Sequence, residues 1–478
     1  MNEPVRKRAD EVVGVTSLYT EHQEWSTNLG DKTIHAKRMP GTFRTIKYFT
    51  ESIWLFFFVG AYLRWDGKQA MMLDVNHRQF NFFHITILPQ DIWMVSLLLL
   101  ILAMTLFAVT SVASRVFCGY FCFQTAWVDL FTWVEEKIEG QPNQRHKLDA
   151  APWTANKIGK KTVKHVIWLL ISLLTGISAT VWFEDAYQYW HDLMHFNLTI
   201  IEFSTLALFT LGTYGLAGFL REQTCLWLCP YARIQAVMAD SQTILPAYDI
   251  ARGEPRGKLR RGAPATDATQ GDCIDCFQCV QVCPTGVDIR DGQQLGCITC
   301  GLCLDACDSI MDKLGRPRGL IRYASLDELE GRPVKKVYQH PRTFVYLTIL
   351  LVALGGIVWG MTHLGSLKLR VDPERQPLYV RMSDGSIQNK YTFKVLNKTD
   401  HDVYVEVSAQ FGIKDQKLIG NEQPKLLTHG RSTAFTIFVK APEENILSET
   451  TKIEFHVSNT EDPSMAAEYT SKFSAPKR

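Results

Sequence analysis

Eight of the twelve cysteines in this 478-residue chain lie in one short segment, 273–307. They form two runs of the same spacing, C-x2-C-x2-C-x3-C. This spacing is typical of bacterial two-cluster ferredoxins, in which the fourth cysteine of each run binds the cluster of the other run. Structural zinc is the alternative, but a zinc ion usually takes two separated pairs of ligands. The segment therefore predicts two [4Fe-4S] clusters.

The crossed ligation rule assigns four cysteines to each cluster. We predict that the first cluster is bound by Cys273, Cys276, Cys279 and Cys307. We predict that the second cluster is bound by Cys297, Cys300, Cys303 and Cys283. Pro284 follows the first run, whereas Asp308 follows the second, which adds a negative charge but removes no ligand.

The other four cysteines form two C-x3-C pairs, Cys118 with Cys122 and Cys225 with Cys229. Each pair follows an apolar segment and precedes an aromatic-rich stretch with a glutamine, so the two look like an internal repeat. Because residues i and i+4 share a helix face, we expect each pair to direct two sulfurs the same way. Four thiolates that meet would suit Cu(I), zinc or an iron–sulfur cluster. A buried structural role, or a reversible disulfide within a pair, is the alternative.

Five apolar segments predict membrane-spanning helices, because a crossing needs roughly 20 residues. They lie at about 46–63, 92–112, 166–183, 199–220 and 342–364. The apolar part of the first segment, 53–63, is shorter than the other apolar runs and reaches the length of a span only with the flank from Ile46. With these spans, the two cysteine pairs follow the second and the fourth crossing.

The charges of the loops predict the sidedness of the chain. Lys and Arg are abundant in 113–165 and 221–341, whereas 184–198 contains neither. The positive-inside rule therefore places the two basic loops in the cytoplasm. The N-terminal segment, 1–45, and the ferredoxin module, 265–315, are then also cytoplasmic. The C-terminal region is then periplasmic, and the membrane is a bacterial inner membrane.

Residues 366–478, which follow the last span, alternate between apolar and polar side chains. Examples are the stretches YTFKVLN, VYVEVSA and KIEFHV. Period-two alternation with turn signals such as SDGS predicts short antiparallel strands, and this spacing favours an immunoglobulin-like β-sandwich. The predicted fold is thus a multi-pass α-helical membrane protein. It carries a cytoplasmic two-[4Fe-4S] ferredoxin-like module and a C-terminal β-sandwich.

Taken together, these features resemble the cytochrome c oxidase accessory protein family, called FixG or CcoG. The resemblance rests on CGYFC, QTCLWLCPYARIQ, CIDCFQCVQVCPTGVDIRDGQQLGCI and PRGLIRY. It implies a membrane-bound cupric reductase that supplies Cu(I) during assembly of a cbb-type haem–copper oxidase. The implied partners are copper ions, copper chaperones or transporters, and cytochrome c oxidase assembly factors. The chain departs from the family pattern at Phe123, where the family usually has proline.

We predict a one-electron metal reductase that takes electrons from an unidentified cytoplasmic donor and passes them to Cu(II). Cys118, Cys122, Cys225 and Cys229 are the best candidates for the copper or relay site, because they are predicted to lie on the same side as the clusters. Two other classes stay open. One is an electron-transfer subunit of a quinol-oxidising membrane complex, and the other is a non-catalytic copper chaperone or assembly scaffold.

Several further features narrow the function. The net charge of +2 gives no indication of nucleic-acid binding, and no Gly-rich dinucleotide or P-loop motif is present. The first residues lack the apolar stretch of a cleavable signal peptide. On the outer side, His191, Met194 and His195 form a second candidate metal site, with ordinary interfacial residues as the alternative. Membrane lipid is the expected surrounding, and a homodimer stays open.

Overall fold

The computed structural model describes residues 34–476 with short gaps. The gaps are 66, 76–78, 84, 88–90, 259–269, 295, 335, 337–338, 363–364, 400, 412–414 and 447. Most of the predicted N-terminal segment and the first residues of the predicted ferredoxin module therefore lie outside the described residues. The chain divides into two compact units: Met1–Tyr62 with Leu98–Leu354, and Leu63–Leu97 with Gly355–Arg478.

The described helices lie mostly in the first unit. They are α1 Thr42–Ser52, α2 Leu55–Val59, α3 Ile92–Ala113, α4 Val116–Tyr120, α5 Phe123–Glu139, α6 Pro142–Ala150, α7 Ala155–Thr180, α8 Ala186–Met194, α9 Ile200–Gly215, α10 Arg221–Gln223, α11 Pro230–Met238, α12 Ile250–Gly253, α13 Gln278–Gln281, α14 Leu302–Leu314, α15 Leu326–Leu329 and α16 Pro341–Thr362. Two π-helical turns, Leu216–Leu220 and Thr224–Leu228, continue α9 and α10. Strands β6 Leu245–Tyr248 and β7 Ile321–Ala324 pair antiparallel on either side of the cysteine-rich segment.

Within the described residues, four helices are long and apolar enough to cross a membrane. They are α3, α7, the continuous helix from α9 to Leu228, and α16 as far as Gly360. These helices coincide with the predicted spans 92–112, 166–183, 199–220 and 342–364. The remaining prediction, a span at 46–63, differs from the structure because this segment is divided into α1, α2 and a 3-10 turn at Gly60–Tyr62. Neither short helix could cross alone.

The cysteine-rich segment folds as two halves with the same backbone. In the first half, Asp275 and Phe277 have φ angles of 53° and 57°. At the equivalent positions of the second half, Thr299 and Gly301 have φ angles of 56° and 73°. Left-handed residues reverse the chain over a short distance, which lets closely spaced cysteines face one point. The repeated spacing in the sequence therefore corresponds to a repeated turn.

A buried carboxylate of α5, Asp129, holds the chain around α1 against the membrane helices. Its oxygens lie 2.8 Å from Nη1 of Arg38, 2.9 Å from Nη1 of Arg44 and 3.2 Å from Nζ of Lys47. Burial alone would raise the pKa of Asp129, but the three cations lower it well below its usual value. The carboxylate is therefore charged at neutral pH, and its charge opposes that of three buried cations.

A second carboxylate of α5, Glu135, connects three more helices. It pairs with Arg145 of α6 at 3.1 Å, with Lys164 of α7 at 3.4 Å and with Arg221 of α10 at 2.7 Å. Burial would raise the pKa of Glu135, but these cations, Arg221 most strongly, hold it below its usual value. Helix α5 thus carries the anionic centres of two buried ion clusters.

The second unit contains a β-sandwich. Its strands are β8 Leu367–Pro373, β9 Val380–Arg381, β10 Ser386–Asn397, β11 Val403–Phe411, β12 Lys417–Ile419, β13 Lys425–Leu427, β14 Ser432–Pro442, β15 Thr450–Asn459 and β16 Ala466–Ser474. One sheet has the order β12-β14-β10-β8 with β9 beside β10, and the other has the order β13-β11-β15-β16. Alternate side chains of β10, Tyr391, Phe393 and Val395, are fully buried. The predicted β-sandwich is therefore confirmed.

The same unit carries five short strands between the 3-10 turn at Gly60–Tyr62 and helix α3. They are β1 Arg64–Trp65, β2 Lys68–Gln69, β3 Met71–Asp74, β4 Gln79–Phe82 and β5 Ile85–Ile87. The first two form a hairpin, and the other three form a sheet of order β3-β4-β5. These strands were not part of the sequence-based prediction, because each is shorter than a recognisable period-two run.

The substitution Asp129→Asn should destabilise the first unit, because it removes the carboxylate that Arg38, Arg44 and Lys47 share. Arg38 and Lys47 would keep Glu136 and Glu51 as partners, whereas buried Arg44 would lose the carboxylate it pairs with. Removing one partner of a buried ion cluster costs about 3–5 kcal/mol. The control, Asp312→Asn, breaks an exposed pair with Arg318 and should leave the thermal midpoint nearly unchanged. Thermal unfolding in detergent, followed by tryptophan fluorescence, measures both variants. Equal midpoints for the two variants would contradict the role given to Asp129.

Candidate functional site

The first of two cysteine-lined cavities has a volume of about 20 Å³. The cysteines around it are Cys273, Cys276, Cys279 and Cys307. Ile310, Met311 and Leu320 add apolar walls. Four sulfurs around a mostly apolar space fit a [4Fe-4S] cubane, which takes one thiolate at each iron. The structure thus brings together the four residues predicted for the first cluster, including Cys307 from the second run.

The second cavity also has a volume of about 20 Å³. The cysteines around it are Cys279, Cys283, Cys297, Cys300 and Cys303. Cys283 of the first run therefore lies with three cysteines of the second run, while Cys279 borders both cavities. This donor set also fits a [4Fe-4S] cluster, with the crossed arrangement that two-cluster ferredoxins use.

Burial controls the protonation of these thiols. It raises the pKa of Cys279, Cys297 and Cys307 to about 12. Without a metal these groups are thiols at neutral pH, so binding of iron releases protons. The backbone N–H of Thr299 donates to Sγ of Cys297 at 3.4 Å, a contact that favours the thiolate.

The two halves of the module face different surroundings. Phe277, beside the first cavity, is 45% exposed, and the guanidinium of Arg290 lies 3.9 Å from the centre of its ring. Arg290 also pairs with Asp275 and Asp288, each at 2.5 Å. In the second half the equivalent residue is Gly301, where an added Cβ would lie 2.8 Å from the ring of Phe43. The first half therefore reaches the surface, and the second half is covered by α1.

Helix α4, which carries Cys118, packs directly against the loop of the second cavity. An added Cβ on Gly119 would lie 2.5 Å from the carbonyl oxygen of Ile298 and 3.0 Å from Cα of Cys300. Oη of Tyr120 donates to the carbonyl oxygen of Cys300 at 2.9 Å. Cys118 packs in the same buried cluster as Ile298 and Cys300. No side chain fits at position 119 without moving this loop.

A buried cation, Arg115, joins the two cysteine pairs to the same loop. Burial lowers the pKa of Arg115, and its electrostatic interactions with Cys118, Cys225, Cys297 and Cys229 oppose that decrease. Its guanidinium also donates to the carbonyl oxygen of Ala232. One positive charge is therefore shared by both C-x3-C pairs and by a cysteine of the second cavity. This arrangement suits a group of sulfurs that carries negative charge.

The backbone of each C-x3-C pair differs from the prediction that both cysteines share one helix face. Cys122 lies between α4 and α5 with φ −67° and ψ 128°, and Cys229 lies before α11 with φ −80° and ψ 110°. Pro230 favours this extended conformation in the residue before it. Cys122 adopts it as well, although Phe123 replaces proline. The departure from the family pattern therefore leaves the local backbone unchanged.

The two pairs are nevertheless close to one another. Sγ of Cys118 donates to Oε1 of Gln235, which follows the second pair, at 3.2 Å. Burial, with smaller contributions from the charges of Cys122 and Cys229, raises the pKa of Cys118 to about 12, although Arg115 and the hydrogen bond with Gln235 act to lower it. Sequence reasoning noted a glutamine after each pair but assigned it no role. The contact identifies Gln235 as a link between the two halves of the repeat.

Among the described residues, no three His, Cys, Asp or Glu side chains are arranged to hold a single metal ion. This finding does not bear on the cubane cysteines, because each of them binds a different iron. It does mean that the thiols of the two C-x3-C pairs would have to move together to bind one copper ion.

The predicted outer metal site lies at the end of α8. The rings of His191 and His195 are 4.3 Å apart and inclined by 27°, and Nδ1 of His195 lies 2.8 Å from the carbonyl oxygen of His191. The side chain of Met194 is 71% exposed. The structure therefore brings the two imidazoles together on an exposed helix end. Metal binding there stays a prediction.

Comparison with known proteins identifies the family. A model of the IG-like fold at the C-terminal of FixG, described as an oxidoreductase, matches residues 357–476. Models of a 4Fe-4S dicluster domain and a 4Fe-4S binding domain match 220–326 and 95–140. Protein RdxB of Cereibacter sphaeroides is 44% identical over 393 residues, which cover 79% of this chain and 82% of RdxB. The chain belongs to the FixG family.

A second relative agrees with this assignment. The nitrogen fixation protein FixG of Rhizobium meliloti is 39% identical over 402 residues, 77% of each chain. A crystal structure of a FixG-related protein from Vibrio parahaemolyticus covers 23% of this chain and 98% of its own, at 20% identity and a TM-score of 0.21. The family and its domains make the chain an iron–sulfur oxidoreductase with several membrane-type helices.

The substitution Cys307→Ser should remove iron from the first cavity, because the crossed arrangement places this thiol there. Cys283→Ser should remove iron from the second. Iron analysis and electron paramagnetic resonance of the reduced, anaerobic protein measure both. We expect each variant to lose about half of the iron, with a different cluster signal remaining. Ser309→Ala, on the same helix as Cys307, is the control. Cys276→Ser should lose the same signal as Cys307→Ser, because both thiols line the first cavity. Loss of different signals in these two variants would contradict crossed ligation.

Proposed function

We propose that this chain is a membrane-bound reductase that converts Cu(II) to Cu(I) for the assembly of a cbb-type cytochrome c oxidase. Copper binds at Cys118, Cys122, Cys225 and Cys229. The observation that carries the proposal is the packing of α4 on the loop of the second cavity, through Gly119 and Tyr120. This contact places α4, which carries Cys118, against the loop that carries Cys300, and the two cysteines share one buried cluster.

The chemistry of the residues supports this assignment. The cysteines around the two cavities are the proposed ligands of two [4Fe-4S] clusters, which when bound supply one-electron transfer. Reduction of Cu(II) takes one electron, so the step sizes match. Thiolates are soft ligands and therefore favour the Cu(I) product. Arg115 offsets part of the negative charge that four thiolates would bring into a buried site.

The contacts of the first predicted span support a fifth crossing. The 42–62 segment is about 31 Å long if it is helical throughout, enough for a hydrocarbon core of about 30 Å. At one end, the backbone N–H of Phe43 donates to Asp305 of the ferredoxin module at 2.9 Å. At the other end, Nε1 of Trp182, just after α7, donates to the carbonyl oxygen of Phe57 at 2.9 Å. We therefore propose that 42–62 crosses the membrane beside α7.

Five crossings and the basic loops give the proposed orientation. The ferredoxin module and both cysteine pairs lie in the cytoplasm, and the β-sandwich lies in the periplasm of a bacterial inner membrane. A cytoplasmic copper chaperone or transporter would then exchange copper at the cysteine pairs. A soluble electron donor would approach Phe277, where the module is exposed.

Reporter fusions test this orientation. An alkaline phosphatase placed after Arg478 should be active, because its disulfides form outside the cytoplasm, and one inserted at residue 263 should be inactive. Green fluorescent protein at the same two sites is the control and should give the opposite pattern. Equal results at both sites would mean that α16, the helix between them, does not cross. Green fluorescent protein fused before Met1 tests 42–62: four crossings before residue 263 put both positions on the same side, so it should fluoresce as it does at 263. Loss of fluorescence at the N-terminus alone would remove 42–62 from the spans.

The double substitution Cys225→Ala with Cys229→Ala should abolish copper binding and cupric reduction while both clusters remain. Loss of two soft ligands should weaken Cu(I) binding at least about tenfold, or about 1.4 kcal/mol. Cys118→Ala with Cys122→Ala should show the same defect. The assay is the formation of Cu(I) by dithionite-reduced protein, with a Cu(I)-specific chelator as readout.

Thr224→Ala, beside the second pair, is the matched control for this experiment and should retain full activity. Iron content and the visible spectrum show whether the clusters are intact in each variant. Full cupric reduction and unchanged copper content in both double variants would reject the site. The outer residues His191, Met194 and His195 would then be the next candidates.

A further inference from the structure

A groove of about 580 Å³ opens between α7 and α9, two of the membrane-type helices. Its walls include the apolar side chains of Val166, Leu169 and Leu211, and Trp153 lies at its end. Small-molecule sites usually enclose about 300–1,000 Å³ and combine apolar walls with a few polar groups. The size and composition of this groove therefore suit an apolar ligand with a small polar head.

The hydrogen-bonding side chains that line the groove include His165 and Tyr214, which contact each other. Oη of Tyr214 and Nδ1 of His165 are 3.0 Å apart. With Nδ1 engaged by the tyrosine, Nε2 is the ring nitrogen that can bond to the hydroxyl or carbonyl of a ligand. A polar pair of this kind on lipid-facing helices is costly unless it has a partner.

The charge of the groove favours a neutral head over an anionic one. Among its described lining residues the cation is Lys161, and its Nζ lies 2.9 Å from Glu139 and 2.6 Å from Asp149. Two carboxylates therefore already neutralise this ammonium group. A phospholipid phosphate would find no uncompensated positive charge there, whereas a neutral head needs only hydrogen bonds.

Side-chain contacts connect the groove to the cysteine pairs. The ring of His165 meets that of Trp168 edge-on at 5.1 Å, and Cζ of Arg221 lies 5.6 Å from the centre of the Trp168 ring. Arg221 precedes Cys225 by one helical turn. The side chain of Gln124, two residues after Cys122, donates to the carbonyl oxygen of Arg221 at 3.2 Å. A redox ligand in the groove would thus be coupled through packed side chains to both pairs.

We propose that this groove binds the head of an isoprenoid quinol, which serves as an electron donor for copper reduction. The inference rests on the proposed cupric reductase function and names a donor for it. One quinol loses two electrons and two protons and becomes a quinone, and two Cu(II) ions each gain one electron. His165 and Tyr214 hold the benzoquinol or naphthoquinol head by one oxygen. Nε2 of His165 receives the first proton, and solvent water receives the second.

Equilibrium binding tests the site without any turnover. The full-length protein with its iron is placed in phosphatidylcholine nanodiscs and titrated with radiolabelled decyl-tailed benzoquinone and naphthoquinone. We expect saturable binding of one of them at one site per chain. His165→Leu and Leu169→Trp, which remove a bond and fill the groove, should weaken it at least about tenfold. Leu170→Trp, one residue further along the same helix and outside the groove, should bind as the unmodified protein does.

The outcomes separate this proposal from the copper assignment. Affinity that is the same in His165→Leu, Leu169→Trp and unmodified protein overturns the quinol site, as does a tightly held phospholipid that quinone does not displace. The unmodified protein is also assayed for Cu(I) formation with dithionite and with decyl-quinol. Reduction by dithionite but not by quinol overturns the quinol site and leaves the proposed function standing. Quinone binding without copper reduction by either donor counts against the proposed function alone.

Discussion

The close approach of α4 to the loop of Cys297 and Cys300 is the constraint on which the rest of the site depends. The approach requires glycine at position 119, because any side chain there would meet the backbone of Ile298 and Cys300. Tyr120 then bonds to the loop from the next position. Cys118 and the loop that carries Cys300 are thus parts of one packed core. A change in the packing of either therefore displaces the other.

Helix α5 makes that approach possible by fixing the helices around it. It begins immediately after Cys122 and carries Asp129 and Glu135, whose partners come from the chain before α1 and from α1, α6, α7 and α10. Buried charges of this kind add little net stability compared with apolar packing, but an unpaired one is costly. The pairs therefore favour one arrangement of the helices over slightly shifted ones.

The sequence predicted those parts of the molecule that depend on local patterns. Cysteine spacing indicated the two cavities, apolar length indicated four helices, and alternation indicated the sandwich. The parts it did not predict depend on contacts between distant residues. The contact of Phe43 with Asp305 joins positions 262 residues apart, and the role of Arg115 follows only from the meeting of two cysteine pairs. The extended backbone at Cys122 was also not predicted, because Phe123 and not proline follows it.

The two halves of the ferredoxin module have left-handed residues at equivalent positions but differ in what covers them. The exposed ring of Phe277 and the ion pairs of Arg290 form the outer end, while Gly301 lies under Phe43 at the inner end. A helix-covered half next to the thiols excludes water, which strengthens the interaction of Arg115 with the sulfurs. The two ends of the module therefore differ in their access to solvent.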